Sequence, residues 1–380
     1  MTAACPCCAQ ADIETLLRTP EMPVNSCVLR WSEQDSRSFP KKRMDLVGCP
    51  VCGFFWNATF QEDLLLYDAD YESTQMHSGV FREYLQRTAR EWLASLENEP
   101  HSILEVGCGQ GEFLAALAEI TAADLLGFDP SFRSDSGTTA KVIAEYLPTA
   151  PTSKFDLVIT RMTLEHIGRP QDFLQNLSGW VTDDGTLITQ VPNAERIMAG
   201  QQVCELFYEH VNYFTTSSLL HALERAGFHD NQVSITYEEQ HLTVFSRRTG
   251  LDGKRAASET TSMGTVLPTS LERFISYWNQ TLQEKAASGR EIWIWGTGSR
   301  ATTFLSFVHA PESLCGAIDI NPLREGSFIL GTSCMTFLPK ALQGRRDLSI
   351  VVMNSIYKDE ISAILSAISA EAELLLVNDL

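Results

Sequence analysis

The stretch Ile103-Leu-Glu-Val-Gly-Cys-Gly-Gln-Gly-Glu-Phe113 decides the fold of this chain. Its first four residues form a short, mainly apolar run typical of a buried strand, and Phe113-Leu-Ala-Ala-Leu-Ala118 continues with helical spacing. Gly107, Gly109 and Gly111 therefore stand where a strand turns tightly into a helix and where a ligand can touch the backbone. The stretch predicts a nucleotide pocket in an α/β fold; a tight turn without a ligand has the same local pattern.

Three further features favour a cofactor pocket. Asp129 ends the next predicted strand, where a carboxylate can accept hydrogen bonds from ribose hydroxyl groups. The segment Phe155–Ile167 predicts a strand with a polar edge at the carboxyl end of the sheet, where open α/β folds bind ligands. Glu105, two residues before the first glycine, can orient the loop or meet the ammonium group of a methionine moiety. Together these features predict S-adenosylmethionine as the cofactor.

Length and charge limit the possible functions. The 380 residues exceed the ~250–300 at which single cores stop growing, so we expect two full α/β domains and a smaller unit. A net charge of −19 repels phosphate backbones and anionic lipid, which predicts no nucleic-acid partner and no membrane surface as partner. The start of the chain has no basic segment followed by an apolar run, and no stretch reaches the ~18 apolar residues that a bilayer requires. We therefore expect a cytoplasmic protein.

Composition and hydrophobic spacing divide the chain into five segments. We expect a metal-binding module at 1–58, a helical connection at 59–100, a doubly wound α/β domain at 101–248, a linker at 249–269 and a smaller Rossmann-like α/β domain at 270–380. Residues 232–237 and 241–246 alternate at period two and predict an antiparallel pair that closes the first sheet. The predicted fold class is therefore α/β, with two strand–loop–helix units of Rossmann type.

Two cysteine pairs near the start of the chain predict a metal site. Cys5-Pro-Cys-Cys8 and Cys49-Pro-Val-Cys52 supply the four thiolates that tetrahedral zinc needs, in a segment that we expect to be loop-rich with little hydrophobic core. Zinc held by Cys5, Cys8, Cys49 and Cys52 would be structural, because four protein ligands leave no open position. Cys7 can replace Cys5 or Cys8 as a ligand, and a surface redox pair is the alternative to zinc.

A second glycine loop lies near the end of the chain. Gly296-Thr-Gly-Ser-Arg-Ala301 fits the G-x-G-x-x-A pattern, and Asp319 follows at the end of the next predicted strand. Taken alone, this pattern indicates a nicotinamide-dependent oxidoreductase. The alternative is a Rossmann unit that holds another phosphate-bearing ligand at its helix N-terminus.

The order of zinc knuckles, first glycine-loop domain and small Rossmann-like domain resembles the sugar-nucleotide C-methyltransferase family over nearly the whole chain. The segments that carry the resemblance are Met22-Pro-Val-Asn25, Glu105–Phe113, Phe155–Ile167, Phe207-Tyr-Glu-His-Val-Asn-Tyr-Phe214, Trp295–Gly298 and Asn321–Gly326. One segment, Met353–Tyr357, departs from the family, whose members that act on deoxysugars tend to have tryptophan there. This departure leaves the identity of the acceptor open.

The resemblance implies that the first α/β domain is a class I methyltransferase and that the acceptor is a small molecule, a nucleotide-linked keto-deoxysugar. It assigns the cofactor site to Glu105, Gly107, Gly109, Gly111, Asp129 and Arg161, with either Glu145 or Tyr146 beside the adenine. It assigns the acceptor site to Tyr67 or Tyr71 and to Gly296, Gly298 and Asn321. The sequence does not indicate an oligomeric state.

Transfer of a methyl group to carbon requires a base, since the carbon next to a carbonyl must first lose a proton. We expect His210 to be this base, because an imidazole titrates at ~6.5, and Glu209 or a nearby carboxylate to hold its tautomer. Tyr208 and His166 are the predicted donors to the enolate oxygen. Core aromatic residues and a structural Glu–His pair are the alternatives at these positions, and O- or N-methylation is the alternative reaction.

Overall fold

A computed structural model of the chain describes residues 4–68, 70–133, 140–200, 202–248, 266–310 and 314–378. It contains a four-stranded sheet near the start of the chain, a central seven-stranded sheet and a five-stranded sheet near the end. The predicted α/β fold class is confirmed. Of the predicted linker, residues 249–265 lie outside the described residues, and residue 266 already begins a helix.

The N-terminal segment is a sheet rather than a set of loops. Its elements are β1 (Glu14–Pro23), α1 (Glu33–Arg37), β2 (Lys41–Gly48) and β3 (Phe55–Asn57). Neighbouring strands pair antiparallel, and Leu16, Met44 and Leu46 are among its buried side chains. The expectation of little hydrophobic core is therefore wrong. Two register shifts in the β1–β2 pairing break the period-two alternation by which a half-buried strand is recognised.

A long helix, α2 (Gly79–Ser95), connects this sheet to the next. It begins at Ser78, whose hydroxyl accepts a hydrogen bond from the Phe81 backbone N–H. Its buried face, which includes Phe81, Leu85 and Trp92, follows the helical spacing seen in the sequence and packs in one core with the central sheet. The helical connection predicted for 59–100 contains this helix.

The central sheet is doubly wound. Its elements, with the helices between them, are β4 (Ser102–Val106), α3 (Glu112–Ala118), β5 (Asp124–Phe128), β6 (Lys141–Ile143), β7 (Phe155–Arg161), α4 (Pro170–Trp180), β8 (Val181–Pro192), α5 (Ala194–Ala199), β9 (Asn212–Tyr213), α6 (Thr216–Arg225), β10 (Phe228–Thr236) and β11 (His241–Arg248). The strand order is β10-β11-β8-β7-β4-β5-β6, with β11 antiparallel to both neighbours, so the predicted antiparallel pair is confirmed. The chain reverses its direction of winding between β4 and β7, and this switch point is where such sheets bind ligands.

The strand β9 belongs to the N-terminal sheet, not to the central one. It pairs antiparallel with β3, and the order of that sheet is β1-β2-β3-β9. The segment that carries His210 is thus fixed by strand pairing across about 150 residues of sequence.

The last sheet is parallel and smaller. Its elements, with the helices around them, are α7 (Val266–Ala287), β12 (Glu291–Trp295), α8 (Ser299–Phe307), β13 (Leu314–Ile318), β14 (Thr336–Phe337), β15 (Leu348–Val352), α9 (Lys358–Ala367) and β16 (Ala372–Leu376). The order β14-β13-β12-β15-β16 places the first strand of the unit in the centre. Throughout the described ranges, every helix is too short or too polar to cross a bilayer.

Candidate functional site

One cavity of about 590 Å³ collects most of the residues singled out in the sequence. Its wall is formed by the glycine loop after β4, by the segment around His210, and by the carboxyl ends of β12, β13 and β15. Two glycine loops from different sheets therefore open into the same space, with two histidines between them.

The first glycine loop leaves β4 and turns into α3. Gly107 and Gly109 line the cavity and have positive φ angles of 74° and 55°. A Cβ atom at Gly107 would collide with the Thr163 side chain, so this position accepts only glycine. At Gly109 the equivalent Cβ position has no heavy atom within 4 Å among the described residues, which leaves its backbone open to a ligand. Gly111 begins α3 behind the loop, outside the cavity lining.

Asp129 follows β5 and is fixed beside this loop. Its Oδ2 accepts a hydrogen bond of 2.8 Å from the Gly109 backbone N–H, and its Oδ1 accepts from the N–H and hydroxyl of Ser131. A carboxylate has about four acceptor positions, so one remains for a ligand hydroxyl. Glu145 and Tyr146, the sequence alternatives for the adenine position, both line the cavity just after β6.

Glu105 and Arg161 lie behind the glycine loop, outside the cavity lining. Glu105 is 2% exposed and its carboxylate is 4.0 Å from the Arg161 guanidinium, which lies 4.2 Å from the centre of the Phe113 ring. Glu105 Oε2 has no hydrogen-bond partner among the described residues. Burial raises the pKa of Glu105 to about 8 despite the opposing charge of Arg161. Arg161 is therefore positioned to hold Glu105 rather than to line the cofactor space.

His166 and His210 meet at the centre of the cavity. Their rings are perpendicular, with centroids 4.7 Å apart. Desolvation lowers the pKa of His166 to about 4. Desolvation, with His166 as a second cause, lowers the pKa of His210 well below its ordinary value. Both imidazoles are thus neutral at pH 7, as a general base must be before it takes a proton.

Glu209 faces the N-terminal sheet, not His210. Its Oε1 accepts a hydrogen bond of 3.1 Å from the Ser26 N–H, and its Oε2 accepts from the Asn25 amide and the Tyr71 hydroxyl. Burial outweighs these donors and raises the pKa of Glu209 to about 7. The expectation that Glu209 holds the His210 tautomer is therefore wrong, because adjacent residues in this turn point to opposite sides.

Both candidate tyrosines line the cavity. The Tyr67 hydroxyl shares a hydrogen bond of 2.9 Å with His166 Nδ1, whereas the Tyr71 hydroxyl donates to Glu209 at 3.3 Å. Their rings lie edge to face with centroids 5.0 Å apart. The sequence left the choice between these two tyrosines open. The structure places both in the cavity that contains His166 and His210, the two residues that we call the histidine centre.

Tyr208 points away from the cavity. It is 1% exposed, and its hydroxyl donates a hydrogen bond of 2.8 Å to the Thr59 carbonyl oxygen. Its ring stacks on Phe60, with centroids 6.2 Å apart. The prediction that Tyr208 donates to an enolate oxygen is wrong, because the backbone carbonyl of Tyr208 is tied to Asn57 and its side chain packs with the N-terminal module.

We expect the substitution Tyr208→Phe to leave the rate of methyl transfer within about twofold of the wild type, since the lost hydroxyl does not reach the cavity. The free energy of unfolding should fall by about 0.5–1.5 kcal/mol, the usual cost of one buried hydrogen bond. Urea unfolding and initial rates measure the two effects. A rate reduced by two orders of magnitude in a stably folded variant would restore Tyr208 to the reacting centre.

The second glycine loop lines the other end of the cavity. Gly296 follows β12, and Gly298 precedes α8, so that the helix N-terminus faces the space. The Thr297 N–H and hydroxyl donate to Asp319 Oδ2, at 3.0 and 2.6 Å. Asp319 thus fixes this loop as Asp129 fixes the first. Asn321 lines the cavity but its amide donates to Glu72 at 3.1 Å, so it also ties the C-terminal sheet to the segment before α2.

Several lining residues were not identified from the sequence. Arg196 and Arg300 share the carboxylate of Glu205, at 3.7 and 2.7 Å, and all three line the cavity beside the second loop. Glu165 lines it beside His166. Arg300 lies inside the second glycine loop, Gly296–Ala301, and Glu165 lies inside the segment Phe155–Ile167. Their position in these two motifs is the feature of the sequence that could have identified them.

The four predicted zinc cysteines come together at the N-terminus. The Sγ atoms of Cys5 and Cys52 are 3.7 Å apart and those of Cys8 and Cys49 are 3.5 Å apart. A tetrahedron with metal–sulfur bonds of ~2.3 Å has edges of ~3.8 Å, so the thiols fit a zinc ion. The thiol of Cys7 donates to the Ser218 carbonyl oxygen at 3.2 Å, and the group of four thiols consists of Cys5, Cys8, Cys49 and Cys52, which favours Cys5 and Cys8 over Cys7 as ligands.

Comparison with known proteins identifies the central region. Residues 77–233 match the family model described as "Methyltransferase domain". No curated protein sequence matches the chain.

Solved methyltransferase structures are similar to part of the chain. A SAM-dependent methyltransferase, possible histamine N-methyltransferase, from Thermotoga maritima is 16% identical with a TM-score of 0.35, over 44% of this chain and 91% of that one. A putative O-methyltransferase from Nostoc punctiforme is 17% identical with a TM-score of 0.37, over 44% and 56%. Similarity at this level carries no argument about substrate.

The order of the central sheet supports the family match. β11 is inserted antiparallel between β8 and β10, and the remaining strands are wound in both directions from β4. This is the strand order of class I methyltransferases, the fold that uses S-adenosylmethionine. Residues 77–233 of this chain therefore form a class I methyltransferase domain.

Proposed function

We propose that this chain is an S-adenosylmethionine-dependent C-methyltransferase that acts on a carbon next to the carbonyl group of a nucleotide-linked keto-deoxysugar. One observation supports this proposal above the others. A single cavity joins the glycine loop of the methyltransferase domain, a pair of neutral histidines and a second glycine loop from the C-terminal sheet. Two nucleotide-bearing ligands can thus share one cavity that the two histidines also line.

The first loop fits the cofactor. Gly107 and Gly109 give the backbone room for a close ligand, and Asp129 is held where it can accept hydrogen bonds from ribose hydroxyl groups. When bound there, S-adenosylmethionine supplies an electrophilic methyl group.

The second loop suits the diphosphate of a sugar nucleotide. α8 has nine residues, and its N-terminal backbone N–H groups and dipole favour an anion. Arg196 and Arg300 stand beside it and share the carboxylate of Glu205. The rival function, a nicotinamide oxidoreductase, uses this loop alone and leaves the methyltransferase match over 77–233 without a role.

The histidine centre favours carbon as the methyl acceptor. A carbonyl group acidifies the neighbouring C–H bond, and His210 is the neutral base that takes this proton. The Tyr67 hydroxyl and His166 form a hydrogen-bonded pair on the same side, which can donate to the oxygen of the resulting enolate. Methylation of oxygen or nitrogen needs no such enolate and remains the second candidate.

We also propose a metal ion for this protein and a cellular compartment in which it works. We propose that Cys5, Cys8, Cys49 and Cys52 hold a structural zinc ion, since they leave no open position for a substrate. Zinc-bound thiolates suit a reducing compartment, so the proposed location is the cytoplasm. A small-molecule acceptor is the only proposed partner.

A pair of acceptors tests the reaction. With labelled S-adenosylmethionine, we expect label transfer to dTDP-4-keto-6-deoxyglucose and none to dTDP-6-deoxyglucose, whose C4 hydroxyl cannot acidify the neighbouring C–H bond. A UDP-linked ketosugar in parallel reports the choice of nucleotide. Equal labelling of the keto and hydroxyl acceptors would contradict C-methylation and favour transfer to oxygen.

A further inference from the structure

A buried carboxyl group in the cavity wall has no role in the reaction described above. Glu165 lies in the 3-10 turn Leu164–His166 directly after β7 and is 1% exposed. It lines the cavity, and its Oε2 has no hydrogen-bond partner among the described residues. An unpaired buried carboxyl group is costly, so its retention at the reacting centre calls for a partner in the reaction.

Glu165 lies beside the two histidines. One of its carboxylate oxygens, one ring nitrogen of His166 and one of His210 are all within 4.8 Å of one another. A shift of at most ~2 Å by a side chain would turn such a separation into a hydrogen bond. Nδ1 of His166 already bonds to Tyr67. The ring of His210 makes no hydrogen bond within the described ranges, so its nitrogen is the one that Glu165 can engage.

Glu209, the carboxylate next to His210 in the sequence, forms its hydrogen bonds with other residues. Three donors from the N-terminal module and the segment before α2 hold its two oxygens, and they turn it away from His210. Glu165 is therefore the carboxylate that the fold brings to His210.

We propose that Glu165 and His210 act as one acid–base pair, in which His210 takes the proton from the acceptor carbon and gives a proton to Glu165. This inference rests on the proposed C-methylation. In the first step the acceptor C–H bond breaks, an N–H bond forms on His210, and the electron pair moves to the carbonyl oxygen as an enolate. In the second step the N–H bond on the other ring nitrogen of His210, which faces Glu165, breaks and an O–H bond forms on Glu165, so that His210 is neutral again. The negative charge thus passes from Glu165 to the enolate, and no redox partner is needed.

Glu165 removes the unfavourable positive charge that His210 would carry after it takes the proton. An imidazolium in this cavity is disfavoured, because desolvation lowers the pKa of His210. Desolvation raises the pKa of Glu165 to about 8, so this carboxylate accepts a proton readily. After the second step both side chains are neutral, which is the state that the low-dielectric surroundings favour.

The acid–base pair predicts in which direction the rate changes with pH. Glu165 must be ionised to accept the proton, so kcat/KM should rise with pH toward an apparent pKa near 8 that belongs to the pair. The titratable groups nearest the pair are His166 on the same turn and Tyr67, which bonds to His166. Glu209, Tyr146 and Cys27 act on the same region through Tyr67.

The first test needs no acceptor. In full-length protein labelled with ¹⁵N-histidine, the ring signals of His210, assigned through His210→Gln, should report a single tautomer and a transition near pH 8. Glu165→Gln should change the ring shifts and remove that transition, Glu165→Asp should keep it, and Asp63→Asn, an exposed carboxylate near the cavity, should change nothing. His210 signals that are the same in the wild type and Glu165→Gln would overturn the pairing.

The second test follows the reaction with dTDP-4-keto-6-deoxyglucose. Glu165→Gln should lower kcat by about 10²-fold with little change in KM and flatten the pH profile, and Glu165→Asp should recover part of the rate. If no ketosugar is methylated while the NMR coupling is present, C-methylation and proton removal from carbon both fail, and only the contact between Glu165 and His210 stands. A second metal equivalent per chain, beyond the four cysteines, that is lost in Glu165→Gln would overturn the pair, because His210 would then be a ligand.

Discussion

Replacing His210 with glutamine should lower the rate of methyl transfer by about 10²–10⁴-fold, the range usual for loss of a general base. Glutamine keeps a polar side chain of similar reach but cannot accept the proton from the acceptor carbon. The ring of His210 lines the cavity, and its centroid is 4.7 Å from that of His166. The dissociation constant for S-adenosylmethionine should stay within about threefold of the wild-type value, because the glycine loop that is proposed to bind the cofactor lies on another segment.

Initial rates and calorimetric binding of the cofactor measure the two parts of this expectation. His309→Gln is the matched control, since His309 is exposed and distant from the cavity lining, and its rate should equal that of the wild type. A His210→Gln protein that binds the cofactor and methylates at the wild-type rate would remove His210 from the mechanism.

Replacing Cys49 with serine should abolish zinc binding and disorder the segment that carries His210. Structural zinc sites contribute apparent binding free energies of about 10–16 kcal/mol, which is more than the stability of most domains. Cys49 and Cys52 lie in the turn between β2 and β3, and β3 pairs with β9. Asn57 links β3 further to the carbonyl groups of Val211 and Tyr208. The loss of zinc should therefore reach the histidine centre through these backbone contacts.

Metal analysis, thermal unfolding and hydrogen exchange at 55–57 and 207–214 measure this effect. Cys7→Ser is the control, because Cys7 is not one of the four clustered ligands and its thiol donates to the Ser218 carbonyl oxygen, and it should retain one zinc per chain. Full zinc content, or unchanged exchange at 207–214 after loss of zinc, would show that the cluster does not support the active segment.

Local patterns predicted the central sheet and both glycine loops. Buried strands, tight glycine turns and the antiparallel pair β10–β11 leave a signal within a dozen residues of sequence, because the periodicity of the side chains reflects their burial. The cluster of four cysteines was also predicted, since two C-x-x-C pairs in one segment are typical of a shared metal site.

Side-chain direction in the 207–210 turn was not predictable in the same way. Tyr208 and Glu209 were expected in the reaction, yet one faces Thr59 and the other faces Asn25 and Ser26. Their direction is set by the pairing of β3 with β9 and by the contacts of Asn57, partners that are distant in sequence. Glu165 was not identified from the sequence, because its burial and its proximity to His210 depend on contacts that form only in the folded chain.

The position of the transferred methyl group tests the proposed function most directly. The protein is incubated with S-adenosylmethionine carrying a ¹³C-methyl group and with uniformly ¹³C-labelled dTDP-4-keto-6-deoxyglucose, and the product is read by NMR. We expect a methyl signal with one-bond carbon–carbon coupling to the carbon next to the carbonyl group. A methyl signal without that coupling, at an O–CH₃ or N–CH₃ shift, would contradict C-methylation.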